Sequence, residues 1–398
     1  MKSKLSFSIL ITAWLLIPTT FKSTSKITPA TQKVVIIMMD GFGEEYYRQS
    51  QMPTLNKMEK AGIYKVVPSL MPSVTNLNNA SICTGELPDK HGITGNSYYE
   101  TATGTEEFME DSTLLLTPTI FQRAKALGLR AALFSSKKKT TTLLSRGADL
   151  VLSPETASAA WKKQLGEPPS IYSPEVNCWL FEAALYTMKQ DTGVDLYYIH
   201  TTDYPMHTWA PNEKQSKEHL EKIDSYLKRI TEILPGAMIL ITADHTVIHK
   251  TRCIDIEKAC LNRNMPVKIA ISAERDKYFK HHRGFGGTSY IYANQEKDIP
   301  ALKKLLLTIP GIESVLTRDE AKEKFHLMGK RIGDLVVLGD SATVFGNLDT
   351  ETEKLPDTYR THGSLYEAMV PLFVFNAQSG PAAGYFTSNY KVAAWLYH

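Results

Sequence analysis

Three short apolar runs, at 34–38, 196–199 and 238–241, lack the alternation of a half-exposed strand and are rich in branched residues. Strands buried on both faces of a parallel sheet read this way. Between them the apolar positions switch to helical spacing. Residues 54–62 predict a short helix closed by glycine, and Leu220, Ile223, Leu227, Ile230 and Leu234 mark one face of a longer one. Further strands are expected at 131–134 and 371–375. The alternation predicts an α/β fold: a doubly wound, mostly parallel sheet with helices on both faces. From about 247 to 357 the pattern changes to strands at 267–272, 289–293 and 333–338, with a helix near 299–307. We expect this stretch to form an inserted α+β cap on a core of residues 30–246 and 358–398.

The amino terminus stands apart. Lys2 and Lys4 precede an uncharged apolar run at 5–18, followed by a polar stretch with small residues at Ser23 and Ser25, or at Thr28 and Ala30, for a cleavage site. That layout predicts a signal peptide at 1–25 and an exported protein, periplasmic or secreted, with no membrane span once it is removed. Cleavage there would remove Lys2, Lys4 and Lys22, leaving bases and acids equal at 42 each. Such a balance argues against a nucleic-acid polymer as partner. At 398 residues the chain has room for a large core with an insert. Of four cysteines, Cys253 and Cys260 are close enough in sequence to pair in an oxidising compartment. No C-x-x-C and no C-x-P-x-R run occurs, which removes a cysteine zinc site and the sulfatase type of modified cysteine.

Each of the three apolar strands leads to an acid: Asp40, followed by Gly41; Asp203; and Asp244. Ligands of parallel α/β sheets sit beyond the carboxyl ends of the strands. Three carboxylates converging there would repel one another, and a divalent metal resolves the conflict. His207, His245 and His362 supply imidazoles. Pro205 argues against a regular helix between Asp203 and His207, so a loop is expected to bring the two together. Mixed oxygen and imidazole ligands favour zinc, with manganese or iron next. Thr75 lies in a Ser-, Asn- and Pro-rich loop expected to run into a helix, whose first amides would face an anion. A metal pair would make its hydroxyl an attacking oxygen.

Asp40-Gly41, Thr75 in its Asn-rich loop, His91-Gly92-Ile93-Thr94-Gly95-Asn96, Asp203 with His207, Asp244-His245 and His362 follow one another as in the alkaline phosphatase superfamily. They most resemble its nucleotide pyrophosphatase/phosphodiesterase branch. The resemblance implies two Zn2+ ions, one on Asp203, His207 and His362 and one on Asp40, Asp244 and His245 with Thr75. It implies Thr75 as nucleophile and Asn96 as the holder of a phosphoryl oxygen. Ser135-Ser136-Lys137-Lys138-Lys139 is similar to the lysine pair of the phosphonoacetate hydrolases within this branch. Lys137 and Lys139 are then expected at the rim of the crevice, binding the carboxylate of a small phosphonate. Thr246 departs from the glycine common after Asp-His in the superfamily and is expected to narrow the pocket or alter a loop.

Three other functions compete. A phosphodiesterase on the same scaffold would need an aromatic slot, for which Tyr98, Tyr99, Tyr204 and Trp209 are candidates. A decayed metal-binding protein would have lost a ligand or the nucleophile, and none is missing. A phosphoglycerate mutase-like enzyme would carry serine in place of Thr75. His91, His200, His281 and His282 are expected to be structural or surface residues, and a homodimer is left open.

Overall fold

The computed structural model describes residues 32–397 apart from Phe279. The signal-peptide reading of 1–25 lies outside the described residues. No helix among them is long and apolar enough to cross a membrane.

Seven strands form the main sheet: β1 (Val34–Met38), β2 (Ile63–Pro68), β3 (Ala131–Ser135), β4 (Leu150–Leu152), β5 (Leu196–His200), β6 (Met238–Thr242) and β7 (Met369–Phe375). Their order is β2-β7-β6-β1-β5-β3-β4. β1 pairs in parallel with β5 and β6, and β3 pairs in parallel with β5 and β4. Only β7 runs against its neighbours, antiparallel to both β6 and β2. All five residues of β1 are buried, as are those of β5 and β6. The register places Met38 beside His200 on one side and Thr242 on the other. The chain segments leading to Asp40, Asp203 and Asp244 therefore leave the same edge of three adjacent strands.

Helix α1 (Pro53–Ala61) opens on Pro53, tolerated in a first turn where its missing N–H has no partner to lose. Its cap residue, Met52, has no side chain to bond the first amides. Asp224, on helix α4 (Lys214–Ile233), takes over by accepting from the N–H groups of Thr54 and Leu55 at 3.0 and 2.9 Å. Asp224→Ala is expected to lower stability by about 1–2 kcal/mol in urea unfolding. An unchanged midpoint would show that water replaces the cap. Helices α2 (Thr75–Thr84) and α3 (Tyr204–Thr208) carry residues of the crevice.

A second sheet, of four antiparallel strands, arises between β6 and β7 in the chain, in the order Ile269–Ser272, Thr288–Tyr292, Leu335–Gly339, Ile312–Thr317. The last of these is an element the apolar pattern did not predict. On one face its residues, Ile271 and Tyr290 among them, pack with Val74 and Leu77 at the start of α2. On the other, Ile291, Leu335 and Val337 bury against Leu302 and Leu306 of the Ile299–Leu306 helix. This second sheet is thus clamped onto the segment that presents Thr75. Cys253 and Cys260 are free, buried thiols in separate apolar clusters.

Candidate active site

β1 ends at Met38, and Asp40 follows. Gly41 then takes a left-handed φ of 75°, where a side chain would press on Asp203, Met206 and Val247. That turn lets the Gly41 N–H donate to Asp244 Oδ1 at 3.2 Å. Asp203 and His207 are joined by α3, not by the expected loop. Pro205 is the second helical residue, where proline costs no hydrogen bond, so the i, i+4 spacing is helical after all. His207 Nε2 lies 2.8 Å from Asp203 Oδ2.

The structure gathers the six predicted ligands into two triads. Ligand atoms of Asp203, His207 and His362 lie within 4.8 Å of one another, as do those of Asp40, Asp244 and His245. All six residues are buried. Each histidine donates Nδ1–H to a backbone carbonyl: His207 to Arg360 at 2.7 Å, His245 to Thr246 at 3.0 Å and His362 to Ser73 at 2.9 Å. In the neutral ring this leaves the Nε2 lone pairs aimed into the crevice. Nε2 of His245 and of His362, Oδ1 of Asp40, Oδ2 of Asp244 and Oγ1 of Thr75 are buried without a hydrogen-bond partner. Acceptors facing acceptors in a buried space call for cations, and the donor set fits a pair of divalent metals.

The ionisation pattern agrees. Burial, joined at Asp40 by the charge of Asp203, pushes the Asp40 and Asp203 carboxyls up, but Lys137 together with His200 at Asp40, and together with His207 at Asp203, holds both below the usual range. Asp244 has no such cation. Burial and the nearby Asp40 raise it well above the carboxylate range. Burial lowers His362 while Glu274 and Asp203 raise it, and the balance lies at about 9. Three carboxylates face one ammonium here, and the raised Asp244 carboxyl and His362 imidazole hold protons at positions that metal cations would take over.

Thr75 is the first residue of α2, so its hydroxyl sits at the positive end of the helix dipole. Asn96 is buried beside it, accepting the Asn76 N–H at 3.1 Å through Oδ1 and donating Nδ2 to Glu274 O at 3.3 Å. The second Nδ2 proton is left over. Lys137 follows β3, and its ammonium bridges Asp203 Oδ1 at 2.8 Å and Asp40 Oδ2 at 3.0 Å. It lies inside the crevice, not at the rim. Lys139 departs further from expectation: it is buried and its ammonium is bound to Asp276. A buried lysine needs a counter-charge, and Asp276 takes it away from the substrate side.

Three histidines read as structural or surface are also here. His200 closes β5, donating Nε2–H to Asp40 Oδ2 at 3.1 Å while Ser135 Oγ donates to its Nδ1 at 2.8 Å. His281 Nε2 lies 3.7 Å from Asp203 Oδ1. His282 forms a third buried cluster with Glu274 and Asp276. Its Nδ1 accepts from Gly284 N–H at 2.9 Å, so the neutral ring presents an N–H to these carboxylates, while Lys139 supplies the positive charge there. The sequence signals available were the adjacent histidines before a glycine-rich run and the place of His200 at a strand end. His91 is structural as expected, buried against Ser81 Oγ at 2.7 Å. Thr246 packs over Gly43, where no side chain would fit, so its bulk is directed at Gly43.

The model of the type I phosphodiesterase / nucleotide pyrophosphatase family matches residues 34–365. The chain belongs to this family of hydrolases. Mouse bis(5'-adenosyl)-triphosphatase is 23% identical over 58% of this chain and 51% of its own length. A Caenorhabditis elegans ectonucleotide pyrophosphatase/phosphodiesterase is 44% identical over 69 residues, 8% of its length. The chain thus spans about half or less of these relatives. Among solved structures, phosphonoacetate hydrolase from Sinorhizobium meliloti 1021, in complex with phosphonoacetate, superposes with a TM-score of 0.82 at 29% identity. The match covers 92% of this chain and 95% of that one. Murine ectonucleotide pyrophosphatase / phosphodiesterase 5 in complex with AMP shares the fold, with a TM-score of 0.65 at 14% identity over 91% of this chain and 93% of that one. The alkaline phosphatase PafA does so at 0.62 and 15%, over 86% and 90%. The family member's fold is that of the alkaline phosphatase superfamily, as its motifs implied.

Proposed function

We propose that this family member hydrolyses the carbon–phosphorus bond of phosphonoacetate, giving acetate and phosphate through a phospho-threonine at Thr75. The observation that carries the reading is Lys137: a buried ammonium among the crevice carboxylates, within a fold that matches a phosphonoacetate hydrolase along nearly its whole length. A phosphate diester carries no carboxylate for that ammonium to meet.

Asp203, His207 and His362 would hold one metal, and Asp40, Asp244 and His245, with Thr75, a second. Zinc suits the ligands best, with manganese or iron next. When bound, the pair would neutralise the carboxylates, polarise the phosphonate and lower the pKa of the Thr75 hydroxyl. Thr75, its hydroxyl proton lost to solvent, forms an Oγ1–phosphorus bond as the carbon–phosphorus bond breaks. The electron pair passes to the methylene carbon and into the carboxylate as an enediolate, which takes a proton from solvent to become acetate. Lys137 stabilises the charge moving onto that carboxylate. Asn96 Nδ2–H holds a phosphoryl oxygen. Water then attacks the phospho-threonine, releasing phosphate and restoring Thr75.

The segment 247–357 acts in this reading as a cap on the core of 30–246 and 358–398, and the layout of 1–25 supports export. A phosphodiesterase on the same scaffold finds less support. Of its candidate slot residues, Tyr98 and Tyr99 are buried in apolar clusters, with Tyr99 packed on Tyr292 at 4.9 Å. Zinc-loaded protein is expected to release phosphate from phosphonoacetate and to cleave a nitrophenyl phosphodiester more slowly. Diester cleavage with no phosphate from phosphonoacetate would give the function to the phosphodiesterase reading.

A further inference from the structure

We propose that His281 contacts the substrate, presenting a ring N–H to the carboxylate of phosphonoacetate beside the ammonium of Lys137. The inference rests on the phosphonoacetate reading and supplies what that reading lacks. A carboxylate has two oxygens to satisfy, and Lys139, the expected second partner, is committed to Asp276.

The unpartnered polar atoms of Thr75, Asp40, Asp244, His245 and His362 all have a role as nucleophile or metal ligand. His281 does not belong to either triad, yet both of its ring nitrogens are buried without a hydrogen bond. Its side chain is 6% exposed. Burying such a ring unpaired is unfavourable unless something completes it. Its Nε2 approaches Asp203 Oδ1, the oxygen that also holds Lys137, so the imidazole and the ammonium face the same space. Aromatic edges fix the ring without consuming its nitrogens: Tyr172, Tyr204 and His207 lie at centroid distances of 5.5, 6.0 and 4.7 Å, each steeply inclined to it. A rigid, desolvated N–H beside a lysine is suited to an anionic oxygen.

The test measures binding by calorimetry to zinc-loaded protein carrying Thr75→Ala, which prevents turnover. Phosphonoacetate is compared with methylphosphonate, which keeps the phosphonate and lacks the carboxylate. The parent is expected to prefer phosphonoacetate. Adding His281→Ala is expected to remove about tenfold or more of that preference, with methylphosphonate affinity and zinc content unchanged. His281→Gln, which keeps an N–H donor, is expected to recover part of it. Equal weakening for both ligands, or loss of zinc, would overturn the proposal, because the ring would then act through Asp203 and His207. Full preference retained in His281→Ala also overturns it and leaves the phosphonoacetate reading standing. A parent that binds both phosphonates alike removes the phosphonoacetate reading itself, and the role of His281 with it.

Discussion

Thr75→Ala is expected to end phosphate release while leaving the fold and both metal triads intact. The hydroxyl is buried and makes no hydrogen bond to the protein, and the second metal would keep Asp40, Asp244 and His245, so deleting it strands no protein group. Stability should therefore change little, and the loss will not be mistaken for unfolding. Removing the attacking group of a covalent mechanism costs on the order of 10⁶ in kcat where it has been measured. Thr75→Ser keeps an oxygen at the first position of α2 and is expected to retain turnover. Single-turnover phosphate release, with metal content and melting temperature measured on the same samples, checks all three points. Turnover by Thr75→Ala close to that of the parent would mean that water attacks phosphorus directly and that no phospho-threonine forms.

The convergence of Asp40, Asp203 and Asp244, three of the six proposed ligands, was legible in the sequence for a physical reason. Parallel strands buried on both faces are unbroken apolar runs, and the residues just beyond their carboxyl ends meet at one edge. Asp40, Asp203 and Asp244 follow β1, β5 and β6, which are neighbours in the sheet. Elements with weaker patterns were missed. The Ile312–Thr317 strand is fully buried only at Ile312 and Val315, and β2 is an edge strand with a mostly half-buried pattern. Pairings across the chain were not legible either. Lys137 and Lys139 stand two apart and share one motif, yet one faces Asp40 and Asp203 while the other faces Asp276, a residue of the stretch between β6 and β7. His281 and His282 come from the same stretch, and no local spacing tells that it packs against Tyr204 and His207 of α3. Pro205 misled because a proline rule for helix interiors was applied to a helix whose first turn is where that proline sits.

The divergence between the two lysines leads to the second large effect. Lys137→Ala is expected to lower kcat on phosphonoacetate by about 10²–10³, the usual loss when one preorganised stabiliser of developing charge is removed. Cleavage of a nitrophenyl phosphodiester, whose leaving group carries no carboxylate, is expected to change far less at saturating zinc. Lys139→Ala should behave differently. Its ammonium and Asp276 are both buried, and removing one member of a buried pair strands the other's charge, at a cost of about 3–5 kcal/mol. The variant is therefore expected to lose stability in urea unfolding before it loses specificity. The double variant Lys139→Met/Asp276→Leu, which removes both charges, should recover much of that stability. The measurement that decides is the ratio of phosphonoacetate to diester turnover, read beside the unfolding midpoint for each variant. A Lys139→Ala protein as stable as the parent, with that ratio collapsed as far as in Lys137→Ala, would mean that Lys139 leaves Asp276 when substrate binds and that both lysines read the carboxylate. A ratio kept in Lys139→Ala and lost in Lys137→Ala assigns the charge recognition to Lys137 and makes the Lys139–Asp276 pair part of the wall that shapes the crevice.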